Sequence, residues 1–216
     1  MKKKKSNTWL KVVLTIVLLE IITGGVLLAY KKIKQTPSDS ISIKDKTVQA
    51  LYQKIAYEDL EELDVMNTAV MLYYGYHNIA KKDIQSINCD VIKIEADTTG
   101  YQCNGMTTFI PSKVMEKTVQ TIYGDVTVEK TNFLVDSQHY AYYDSENDGY
   151  VLYQKETEQQ ESPYNLKLVK AQQQDQNIIL TTEVLDGIYG SVKATYKYTF
   201  EQDGKNYYLI KKEKVA

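Results

Sequence analysis

The sequence predicts an α+β protein in which an N-terminal transmembrane helix precedes one domain of about three helices packed on a twisted antiparallel sheet. Three observations carry this prediction. Residues 9–30 are mostly apolar, with Lys11 near the start and Glu20 as the only charge between positions 12 and 30, so the stretch can cross a hydrocarbon core of ~30 Å. Helical periodicity follows up to Gly124, and after it the apolar period changes to two, which is typical of strands.

The N-terminal stretch predicts an uncleaved signal anchor. Lysines occupy positions 2–5 just before it, and aromatic residues stand at both of its ends, as membrane interfaces favour. The alternative is a cleaved signal peptide, but the exit at 28–30 reads Leu-Ala-Tyr and lacks the small-residue cleavage pattern. We therefore expect a single-pass cell-membrane protein with residues 1–8 as a cytoplasmic tail, 9–30 as the anchor and the rest extracytoplasmic.

Glu20 makes the anchor a candidate contact surface. An ionised carboxylate at mid-bilayer costs about 2.5–3.5 kcal/mol. Gly25 and Ala29 form a small-x-x-x-small pair within the same helix, which permits close helix packing. The sequence thus predicts that Glu20 bonds to a polar group of a membrane-protein partner or of a second copy. The alternative is a protonated Glu20 that the apolar neighbours carry into the bilayer.

The charge is unevenly distributed. Eight of the 26 basic residues and one of the 28 acidic residues lie in 1–34, so the remainder carries a formal net charge of −9. An acidic external domain should be repelled by nucleic acid, and we expect no such partner. Every basic residue is lysine, which excludes bidentate guanidinium clamps for phosphate or carboxylate.

Cys89 and Cys103 are the only cysteines, and in an oxidising exterior an even count predicts a disulfide. Closing a loop of this size stabilises the fold by about 3 kcal/mol in the chain-entropy model. A metal site combining these cysteines with His77 and His139 is the alternative, but the spacings match no zinc pattern. We predict no metal and no cofactor.

Residues 31–43 are expected to form a short stem, and residues 44–216 the extracytoplasmic domain. Helices are predicted over 44–57 and 59–80 and from Pro111 to the residue before Gly124, where glycine favours a helix end. Strands are predicted over 90–96, 125–129, 132–136, 139–143, 150–155, 164–171, 177–185, 191–200 and 206–215. This order of elements is similar to that of the NTF2-like superfamily, and the resemblance implies a cone-like sheet with helices on one face.

Motifs for catalysis are missing. There is no nucleophile elbow, zinc-protease motif or phosphate-binding loop in the sequence. His139 follows Asp136 and Ser137 along one strand, whose alternating side chains do not provide a triad. The acidic turn beginning at Asp144 resembles the start of a calcium loop, but Lys155 stands where the bidentate glutamate should be. We predict no catalytic residue.

Five tyrosines cluster in and beside one predicted hairpin and form a candidate recognition patch: Tyr140, Tyr142, Tyr143, Tyr150 and Tyr153. Exposed, they would bind a glycan or a protein partner, and buried, they would pack the sheet. The sequence therefore predicts a non-enzymatic, membrane-anchored domain that binds a protein partner close to the membrane. The alternatives are a small-molecule pocket between sheet and helices, and an enzyme with an unrecognised pair of acids.

Overall fold

A computed structural model describes residues 39–57, 61–92, 100–155, 165–187 and 190–215 of the chain. The predicted anchor at 9–30, with Glu20, lies outside these residues, as does most of the predicted stem. Within the described ranges, no helix is both long enough and apolar enough to span a bilayer. Residues from Asp39 onward form one compact unit.

The described residues form three α-helices, the number that the sequence predicts for the domain. Helix α1 is Lys46–Gln53 and begins where the Asp45 carboxylate accepts a hydrogen bond from the N–H of Thr47 at 2.8 Å. Helix α3 is Ser112–Tyr123 and ends at Gly124, whose φ of 82° suits glycine.

Helix α2 is shorter than predicted. It covers Thr68–His77, whereas periodicity indicated a start near residue 59. Its first turn is capped by Asn67, whose side-chain oxygen accepts a hydrogen bond from the N–H of Ala69 at 2.9 Å. Just before this cap, Asp64 accepts the N–H of Met66 at 3.0 Å. These local side-chain bonds favour a turn over helix, so the acidic residues at 61–64 precede α2 instead of starting it.

The described strands form two antiparallel sheets, which corrects the prediction of one. The first sheet has the order β1-β8-β9-β10-β11, and the second has the order β2-β4-β7-β6-β5 with β3 also paired to β7. The strands of the first sheet are β1 Asp39–Ile41, β8 Asn165–Gln174, β9 Asn177–Leu185, β10 Val192–Asp203 and β11 Asn206–Val215. Those of the second are β2 Gln85–Asn88, β3 Tyr101–Gln102, β4 Met106–Pro111, β5 Phe133–Leu134, β6 His139–Asp144 and β7 Gly149–Lys155.

Strand β7 explains why the sheet divides. One of its edges pairs with β6, and the other pairs first with β4 and then with β3. With both edges occupied, β7 has no place for β8, and β8 joins β9 and β1 in the other sheet. The single cone-like sheet implied by the NTF2-like resemblance is therefore not the arrangement of the described strands.

Several predicted boundaries differ in the structure. Strand β1 lies within the stretch expected as stem, and β4 lies in a stretch for which no strand is predicted. Of the strand predicted over 90–96, residues 93–96 lie outside the described residues; a short 3-10 helix covers Cys89–Val91, and the strand β2 comes before it. No strand forms at 125–129. Short strands held by distant partners carry little local signal, which accounts for these differences.

One main core joins both sheets to the helices. Helix α3 contacts β11 of the first sheet and β4 and β7 of the second. Met115, Val119 and Ile122 on α3 are fully buried, as are Leu180 on β9 and Phe200 on β10. The interface between the helices and the sheets is therefore filled by side chains.

Candidate functional site: the β2 edge

The predicted disulfide is confirmed. Cys89 immediately follows β2 and is bonded to Cys103, which follows β3, with 5.7 Å between the two Cα atoms. It borders a second apolar cluster, on the face of the second sheet opposite the helices, which we call the outer cluster. Its buried members are Tyr101, Phe109, Tyr142, Val151 and Tyr153.

The five predicted patch tyrosines do not share one face. Tyr143 and Tyr150 pair across β6 and β7 on the side of the main core. Tyr140, Tyr142 and Tyr153 belong to the outer cluster, where Tyr142 is 3% exposed and Tyr153 7% exposed. Burial raises the pKa of Tyr153 and, still further, that of Tyr150. Most of these rings thus pack the second sheet, and the half-buried Tyr140 and Tyr143 retain access to solvent.

Among the described strands, β2 is an edge of the second sheet. It pairs with β4 through Gln85 opposite Phe109 and Ile87 opposite Thr107, and the Cys89 N–H continues the ladder to the Gly105 carbonyl at 2.8 Å. Main-chain bonds alternate along an antiparallel pair, so residues 85, 87 and 89 bond to β4. The backbone N–H and C=O groups of Ser86 and Asn88 consequently point away from the sheet.

Apolar side chains stand exposed at both ends of this edge. Ile84 precedes β2 and is 37% exposed, Val91 follows it and is 56% exposed, and Met106 on the neighbouring strand is 66% exposed. Residues 84–89 carry no charge. We call this set, together with Gln85–Asn88, the β2 edge. An uncharged edge strand with exposed apolar neighbours is a template for pairing with another chain.

The other sheet edges carry features that discourage pairing. Strand β5 has two residues and β1 has three, which is too short to guide a second strand. Strand β11 is long, but it carries Lys211 and Lys214 and is bulged opposite the Thr199–Phe200 step of β10. Charges, bulges and short length are the usual protections of an edge strand. Of these three edges only β11 is long, and β2 differs from β11 because it has neither a charge nor a bulge.

The two histidines come from distant parts of the chain and bond to neighbouring residues, His77 to Val135 and His139 to Asp136. Asp136 Oδ1 accepts the backbone N–H of His139 at 2.7 Å and lies 2.9 Å from His139 Nδ1. The Nε2–H of His77, at the end of α2, donates to the Val135 carbonyl at 3.2 Å. Burial lowers the pKa of His77 below its ordinary value. This arrangement fastens the turn between β5 and β6 to α2.

The acidic turn at Asp144 supports itself. Asp144 is buried, and its carboxylate accepts the N–H of Glu146 at 3.0 Å and the side-chain N–H of Asn147 at 2.6 Å. In the same turn, a hydrogen bond from Lys130 lowers the pKa of Asp148 to about 2. The carboxylates therefore hold the turn. In the part of the chain that is described, no group of side chains is arranged to bind a metal ion.

The clefts of the described residues are open. The one beside β3, β4 and β7 has a volume of about 160 Å³, and another between α3 and the segment after α2 has about 370 Å³. Neither lies in the filled interface between helices and sheets.

Among the described acidic residues, Asp144 alone is buried, so no facing pair of buried carboxylates is present in those ranges.

Comparison with known proteins gives no relative: no family model, curated protein or solved structure matches this chain.

The β2 edge was not predicted from the sequence. The stretch from Ile84 to Asn88 has isoleucines three positions apart, which is neither the period of a strand nor a complete helical stripe. Only the pairing with β4 identifies it as a strand.

Proposed function

We propose that this protein is a membrane-anchored, extracytoplasmic, non-enzymatic domain that binds a protein partner close to the membrane through the β2 edge. The observation that carries the proposal is the outward-pointing backbone of Ser86 and Asn88, flanked by the exposed side chains of Ile84, Val91 and Met106. An incoming strand would bond to the backbone groups and place apolar side chains on those neighbours, as in β-strand addition.

The anchor and the stem support action near the membrane. The anchor is the apolar stretch at 9–30, with its lysine-rich cytoplasmic tail. Because β1 begins at Asp39, the connecting segment is 31–38, which is shorter than the sequence indicated. At 3.3–3.6 Å per residue it reaches at most about 29 Å. A partner of the β2 edge would therefore itself be in, or attached to, the same membrane.

The two alternative functions have less support. A small-molecule site between sheets and helices needs space, whereas Met115, Val119 and Leu180 fill that region without exposure. An acid pair needs two facing carboxylates, whereas the buried Asp144 bonds to its own turn.

A photo-crosslinking residue at position 85 tests the proposal in native membranes of cells that produce the full chain. Gln85 is exposed on β2, and Leu134 on the β5 edge is exposed as well, so the same probe at position 134 is a matched control. We expect a discrete adduct from position 85 that is absent from position 134 and is lost when Met106 becomes Lys. No adduct at position 85, or the same adduct from both positions, would overturn the proposal.

A further inference from the structure

We propose that the partner of the β2 edge is a second copy of this chain, paired antiparallel about a two-fold axis at Ile87. This inference rests on the proposed function and deepens it by naming the partner. In this register Ser86 of one copy faces Asn88 of the other. Since both residues point their backbone groups outward, they form hydrogen-bonded pairs on the two sides of the axis.

The strand is self-complementary in shape and polarity. Ile87 meets Ile87 of the second copy at the axis, in a non-hydrogen-bonded pair, where Cα atoms approach to about 4.5 Å and side chains are in close contact. The uncharged residues 85–89 of the two copies then lie side by side, and Ile84 faces Asp90 at each end. When a strand pairs with its own copy, a charged residue near the axis lies close to the same charge on the other copy and repels it, and β2 has no such charge.

The flanks of the strand carry both signs of charge. Lys81, Lys82 and Asp83 precede β2, and Asp90 follows it. Antiparallel pairing brings Lys81, Lys82 and Asp83 of one copy towards Asp90 of the other at both ends of the interface, so the two lysines offset the repulsion between the two acids. None of these four side chains takes part in an ion pair within the described ranges. A two-fold axis also produces a closed dimer that exposes no further β2 edge, which prevents growth into a fibre.

The membrane makes so small an interface sufficient. Pairing two strands of this length buries well under the ~1,200 Å² of a stable soluble complex. Two copies confined to one membrane meet at a raised effective concentration, so weak contacts add. The predicted contact of Glu20 with a second helix would add a further contact between the same two chains.

Cysteine crosslinking in native membranes tests this inference on the full chain. Ile87→Cys places two thiols at the axis within disulfide reach. Leu134→Cys, at an exposed position of the β5 edge, is the matched control. The native Cys89 and Cys103 are bonded to each other and are left in place. Under mild oxidation we expect Ile87→Cys to form a covalent dimer at least about tenfold faster than Leu134→Cys, because only the former pair lies within disulfide geometry.

A second pair of variants fixes the register without touching a buried residue. Ser86 and Asn88 are exposed, so Ser86→Cys and Asn88→Cys change no buried side chain, although Asn88→Cys removes the hydrogen bond that the Asn88 side chain accepts from the N–H of Asp90. Produced together in one cell, they should crosslink to each other faster than either does to itself. Crosslinking of Ile87→Cys and of the mixed pair no faster than the control would overturn the second-copy inference. If position 85 still gave an adduct with another protein, the proposed function would stand; if it gave none, both would fail.

Discussion

Gly75 offers a sharp test of how α2 packs on α3. A Cβ atom at position 75 would lie 2.6 Å from Val119 Cγ2 and 3.0 Å from Met115 Sδ. Both of those α3 side chains are fully buried, and the β-branched Val119 has few rotamers with which to move away. Gly75→Ala should therefore push the two helices apart.

The expected magnitude is the difference of two effects. Alanine in a helix interior is more favourable than glycine by about 0.5–1 kcal/mol. Forcing an extra methyl into a packed core costs about 1–3 kcal/mol. We expect Gly75→Ala to lower the free energy of unfolding by about 1 kcal/mol. In a Val119→Ala background the colliding methyl is gone, so the same substitution should raise stability by up to about 1 kcal/mol.

The assay is a double-mutant cycle on the purified full chain in detergent, with denaturant unfolding followed by the tyrosine signal in near-ultraviolet circular dichroism. Gln120→Ala, at an exposed position of α3, controls for changes in helix propensity. The cycle should give a coupling free energy of about 2 kcal/mol between positions 75 and 119. If Gly75→Ala had the same effect in both backgrounds, the close approach of the helices would be refuted.

Three further outcomes follow from other contacts. Gly149→Ala would place Cβ 2.4 Å from two ring atoms of Phe109, so we expect a loss of about 3 kcal/mol; an unchanged melting temperature would contradict the contact. Replacing Cys89 and Cys103 together by Ala should cost about 3 kcal/mol, and full stability of this double variant in urea would disprove the stabilising role of the disulfide. Burial lowers the pKa of His77 in the folded protein, so on acidification the unfolded chain protonates this histidine at a higher pH than the folded protein does. Stability should be complete above about pH 6.5 and fall below it, a slope that His77→Phe should reduce in pH-dependent melts.

The proposed anchor is predicted from local sequence alone. Its length, its lysine-rich start and its exit residues are features of a single segment, and insertion of such a segment into a bilayer depends on these features and not on the rest of the fold. The orientation and the single pass accordingly remain predictions from residues 1–34. Signal-peptide cleavage can be checked by N-terminal sequencing of the mature protein, for which we expect Met1 or its immediate neighbour.

Local patterns gave the correct class of domain. Periodicity identified three helices, and Gly124 marked the end of the third. Alternation identified the long antiparallel strands β9, β10 and β11 within a few residues. These elements have strong signals because each buries one continuous face, so the pattern of apolar residues repeats at the period of the backbone.

The candidate site could not be predicted in this way. The tyrosines of β6 and β7 alternate like any strand, and the pattern alone does not say which face a second layer covers. In the structure both faces of the second sheet are covered over these strands, by the main core and by the outer cluster. That is why the tyrosine patch of the sequence divides into packing residues on two sides.

The sequence by itself determined the α+β class, the antiparallel strands and the pairing of Cys89 with Cys103, because each depends on neighbours along the chain or on a count of two. Tertiary structure decided that there are two sheets, because both edges of β7 are occupied by strands far apart in sequence. It also decided which edge is left for a partner. A strand is an edge when only one of its two sides is paired, and which strands pair depends on the arrangement of the whole sheet.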